Sequence, residues 1–78
     1  LNRKFKIILL ERKVGHWIQL DNPYDSTELA HYYFITETDM VEVERWVQEN
    51  NLGKRMAFSL WQLKSREAVT AFMLKWGQ

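Results

Sequence analysis

His16 and His31 are the side chains best suited to acid–base work or metal ligation near neutral pH, and they stand fifteen positions apart. No His-x-x-x-His spacing puts both on one helix face, and the chain has no cysteine to act as thiolate ligand, nucleophile or disulfide partner. Each histidine is therefore expected on a strand of its own, partly exposed. Ser65 precedes a predicted helix and Ser26 a stretch that Asp25 and Glu28, spaced as a capping box, could start as a short helix, so both read as caps, not nucleophiles, and there is no Gly-x-Ser-x-Gly elbow. The glycines at 15, 53 and 77 are too scattered to cradle a phosphate. The carboxylate pairs Glu37/Asp39 and Glu42/Glu44 fall on or beside a helix surface, where nothing raises a pKa into the working range of a general acid. The expectation is no enzyme, no cofactor and no metal.

Binding surfaces are better represented. Tyr32, Phe34 and Trp61 have the alternation of one sheet face, and Lys4, Lys6, Lys54 and Arg55 could rim it, which is how single-stranded nucleic acid is held by stacking and phosphate contacts. The RNP pattern of an RNA-recognition sheet is missing, however, and the charge is unevenly spread. Residues 1–13 hold five bases and one acid, residues 21–49 hold eight acids and one base, and residues 54–78 hold five bases and one acid. The acidic stretch takes up a whole predicted helix and the loop before it, leaving a phosphate chain few routes across so small a domain.

Protein binding is the favoured reading for that reason. Trp17 and Trp61 would lie on the sheet face turned from the helices if Ile18, Phe58 and Leu60 point toward them, and exposed tryptophan is a common interface anchor. Ala71 and Leu74 form a second apolar edge on the last helix, outside its main stripe. Glu42 and Glu49 could steer an incoming partner. The partner is an unidentified protein, and a homodimer could use the same surfaces.

The elements that must position these residues are organised around the last third of the chain. Met56, Phe58 and Leu60 alternate with Ala57, Ser59 and Trp61, which predicts a strand. Val69, Phe72, Met73 and Trp76 then recur at helical spacing over a helix near residues 66–76. Upstream, residues 5–10 and 16–20 predict a hairpin, with Phe5, Ile7 and Leu9 on one face, Lys6 and Ile8 on the other, and Gly15 free to take positive φ. Residues 21–26 are turn formers, and residues 31–36 are read as a strand. Thr36 or Thr38 caps a helix over 38–50, with Met40, Val43, Trp46 and Val47 inward and Gly53 as its left-handed stop. The predicted order is β-β-β-α-β-α, a single small α+β domain over residues 1–78 in which both helices pack on one face of a mostly antiparallel sheet.

The 46% hydrophobic and 14% aromatic content is enough for a dense core in a chain of 78 residues. No apolar run reaches the roughly 18–20 residues of a membrane span, and the lack of cysteine fits a reducing compartment, so a cytoplasmic location is expected. The chain opens on Leu1, so a leader or tag is expected to have been removed or left out.

The run Phe58-Ser59-Leu60-Trp61-Gln62-Leu63-Lys64, followed by Glu67-Ala68-Val69-Thr70-Ala71-Phe72-Met73-Leu74-Lys75-Trp76-Gly77, resembles the C-terminal strand and helix of small uncharacterised proteins of tailed bacteriophages. It covers about a quarter of the chain. The resemblance implies an accessory protein that acts in the host cytoplasm by binding a host or viral macromolecule, and it brings no catalytic residues.

Overall fold

In a computed structural model of the protein, the structure describes residues 5–23 and 35–77. They form an α+β fold of two layers. Four antiparallel strands, β1 (Lys6–Leu10), β2 (His16–Asp21), β3 (Gly53–Ala57) and β4 (Leu60–Leu63), are ordered β1-β2-β4-β3. Two helices, α1 (Glu37–Glu49) and α2 (Arg66–Trp76), pack against the sheet.

Period-two patterning decides which sheet face is buried. Ile18 and Leu20 of β2 and Trp61 and Leu63 of β4 point to the helices, and each is at most 1% exposed. They meet Met40, Val43 and Val47 from α1 and Ala68, Phe72 and Trp76 from α2. Both helices therefore cover one face, as their apolar spacing predicts. An aromatic cluster fills the layer between them: Trp46 lies edge-on to Phe72 and to Trp76, with centroids 6.0 and 5.9 Å away, and Phe5 reaches Trp76 at 5.8 Å. The Trp61 indole N–H is buried with no acceptor among the described residues.

Local chemistry sets the helix ends. Thr36 caps α1 in a reciprocal box, its Oγ1 accepting from the Asp39 N–H at 3.2 Å while the Asp39 carboxylate accepts from the Thr36 N–H at 3.2 Å. Ser65 caps α2 by accepting from the Ala68 N–H at 3.0 Å. The stop of α1 differs from expectation: Asn51, at φ 53°, takes the left-handed position, not Gly53. The Leu52 N–H returns to the Val47 carbonyl at 3.0 Å and the Asn51 N–H to the Gln48 carbonyl at 3.1 Å, so Leu52 swings into the core as the motif closes. Gly53 instead lies in β3 against β4, where a Cβ would collide with the Gln62 carbonyl and stand 2.7 Å from the Leu63 Cα.

The larger correction is that residues 56–61 are not one strand. The chain reverses at Phe58 and Ser59, and β3 and β4 form a hairpin in which Ala57 faces Leu60, with a bulge between Arg55 and Ala57. Among the described residues the order is therefore β-β, then α-β-β-α. The strand expected at 31–36 falls mostly outside the described residues, and its last two, Ile35 and Thr36, lead into α1 without strand pairing.

Candidate functional site

The sheet face turned from the helices is built from the alternate residues of the same strands. In one row, Leu10 of β1 pairs with Trp17 of β2, Trp17 with Gln62 of β4, and Gln62 with Lys54 of β3. In the next, Ile8 pairs with Gln19, Gln19 with Leu60, and Leu60 with Ala57. Ile8, Leu10, Trp17 and Leu60 are half-buried, and at the Leu10–Trp17 end of the face Arg66 and Val69 of α2 line an open pocket together with both.

Trp17 is held in place. Its indole N–H donates to the Val14 carbonyl at 2.7 Å, and the Arg12 guanidinium lies 4.6 Å from the ring centroid. Both partners come from the hairpin between β1 and β2, whose turn Gly15 makes at φ 83°. The ring is thus fixed by local contacts while it stays partly exposed, which lowers the ordering cost of using it in an interface. Beside it lies an open groove of about 360 Å³ lined by Gly15, Gly53, Lys54, Gln62, Leu63 and Lys64.

The predicted site residues are distributed unevenly around this face. Trp17 is on it and Lys54 is at its rim, while Lys6 pairs with Asp21 at its far end. Trp61 is not on it: the reversal at Phe58–Ser59 and the bulge before it put Trp61 on the helix side, opposite Ile18 and 0% exposed. Arg55 faces inward as well. Its side chain, 13% exposed, donates to both oxygens of Glu37 at 3.0 Å, to Glu44 at 3.1 Å and to the Phe58 carbonyl at 2.8 Å, so it has little left to offer a phosphate. These bonds hold the Glu37 carboxyl below the usual carboxylate range and push the guanidinium up. Glu42 and Glu49 are exposed on α1, in the helix layer. Leu74 is 63% exposed on α2, and Ala71 is half-buried one turn before it, so that edge stands apart from the sheet face. Lys4, Tyr32 and Phe34 lie outside the described residues.

The sequence reading overlooked Arg12, Gln62 and the aliphatic neighbours of Trp17. A signal for the last existed in β1, where Ile8 and Leu10 have the opposite parity to Phe5, Ile7 and Leu9, so apolar residues occupy both faces of an edge strand. Among the described residues no three of His, Asp or Glu are gathered as a metal ion would require, and no helix is long and apolar enough to cross a membrane. No family model, curated protein or solved structure matches the chain.

Proposed function

We propose that this is a small, non-enzymatic protein-binding module whose docking surface is the outer face of the sheet, centred on Trp17. The observation that carries the reading is the contrast among the four tryptophans: Trp46, Trp61 and Trp76 pack into the interior cluster, whereas Trp17 is fixed by Arg12 and Val14 in a half-buried apolar row outside it. A rigid amphipathic ring among aliphatic neighbours is the composition of an interface centre. If the phage resemblance of the last strand and helix is followed, the partner is a host or viral protein in the host cytoplasm and this module modulates it.

Single-stranded nucleic acid is the second reading, favoured by the separation of the acidic α1 from the Lys54 side of the sheet. The burial of Trp61 and the engagement of Arg55 by Glu37 and Glu44 weigh against it, since each removes a residue the stacking platform needs. Labelled single- and double-stranded oligonucleotides, titrated at low and at physiological salt, separate the two. The protein-binding reading expects no micromolar complex at physiological salt. Tight binding that weakens steeply with added salt would overturn it.

A further inference from the structure

The groove beside Trp17 gives this docking face a chemical preference. Gln62 is the cross-strand neighbour of Trp17 on one side and of Lys54 on the other, so the groove continues the apolar row. It stays open because Gly15 has no side chain: a Cβ there would stand 2.7 Å from the Gln62 amide nitrogen and 3.2 Å from the Trp17 Nε1. Lys54 and Lys64 are exposed, and among the described residues neither forms an ion pair, while the Gln62 amide makes no side-chain hydrogen bond. The wall is therefore two uncompensated cations and an amide donor, next to a fixed indole.

Resting on the protein-binding reading, we infer that this groove takes a carboxylate of the partner, and that the partner contributes an acidic segment with an apolar anchor. The anchor lies over Trp17 and its aliphatic neighbours, and an Asp, Glu or C-terminal carboxylate sits between Lys54 and Lys64, accepting from both ammonium groups and from the Gln62 amide. The wider charge distribution agrees. Lys6, Arg12, Lys13, Lys54 and Lys64 belong to the sheet and its hairpin, where Glu11 and Asp21 are the acids, whereas Glu37, Asp39, Glu42, Glu44 and Glu49 belong to α1 in the other layer. An acidic segment is steered to the sheet and repelled from the helix. A nucleic acid also carries negative charge, but it needs successive rings for its bases, and the row offers Trp17 beside aliphatic side chains.

Selection from a displayed library of random 12-residue peptides tests this, using the wild-type chain, Trp17→Ala, and the double variant Lys54→Glu with Lys64→Glu. The expected peptides combine a large apolar residue with Asp or Glu. The double variant should bind them roughly tenfold or more weakly and should select basic peptides instead. Trp17→Ala should lose both sets, with its circular dichroism spectrum unchanged. Trp17-dependent peptides without acidic residues, or indifference to the double variant, would overturn the carboxylate groove and leave the protein-binding reading standing. If no selected peptide depends on Trp17, both fall. The lysine reversals are at exposed positions, so they keep the groove testable should Trp17→Ala unfold. Oligothymidylate binding at physiological salt that the double variant abolishes would also overturn it.

Discussion

Arg55 and Glu37 are joined by two parallel hydrogen bonds of 3.0 Å each, tying the bulged strand β3 to the first turn of α1. The same guanidinium also donates to Glu44 and to the carbonyls of Ala57 and Phe58, at the reversal between β3 and β4. One side chain thus fixes a turn and docks a helix onto it. Replacing Arg55 with Met should cost about 2–3 kcal/mol, the scale of charged hydrogen bonds lost from a largely enclosed site. Urea unfolding is the check, and an unchanged midpoint would remove Arg55 from this role.

The pairing also sets a pH dependence. Hydrogen bonds from Arg55, followed by its charge, lower the Glu37 pKa in the folded state. A lowered folded pKa contributes stability that is fully present above the unfolded value, about 4.3, and is lost as pH falls through the folded one. Glu37→Gln should therefore flatten the acid side of the stability profile below about pH 4 while changing its slope little near neutrality. An acid limb as steep as wild type would show that Glu37 does not carry this dependence.

The turn at Phe58–Ser59 explains where the sequence was hard to read. Ser59 alone is a weak turn signal beside Phe58, and among the described residues Asn51 is the sole non-glycine with positive φ, so the tight mirror-image turns preferred in two-residue hairpins are not used. The reversal is accommodated by the bulge at Arg55/Ala57 and held by Arg55, whose own anchors, Glu37 and Glu44, lie far away in sequence. Local pattern alone could not reveal it, and missing it reversed the side assigned to Trp61. The helices were legible because their information is local: a cap, a 3.6-residue stripe and a stop. Even there, the left-handed stop expected at Gly53 is taken by Asn51, as Leu52 packs against the core. For the site, Trp17 and Lys54 could be named from sequence, whereas Gln62 and Arg12 became relevant only through strand register and the hairpin fold.

The caps should be separable from the core by magnitude. Thr36→Ala should cost about 1 kcal/mol through loss of the reciprocal cap, and Ser65→Ala a similar amount. Trp76→Ala, at a position 4% exposed between Phe5 and Trp46, should cost roughly 3–5 kcal/mol. Thermal unfolding of the three variants side by side checks the order, and a Trp76→Ala protein as stable as the cap variants would contradict the packing described.

The central claim is that the outer sheet face around Trp17, and not the Leu74 edge of α2, meets a protein partner. The most direct measurement is parallel capture from a bacterial lysate with wild-type protein, Trp17→Ala and Leu74→Lys, each first shown to be folded by circular dichroism. The account predicts one dominant protein retained equally by wild type and Leu74→Lys and lost from Trp17→Ala. Retention by Trp17→Ala at the wild-type level, or loss from Leu74→Lys alone, would contradict it.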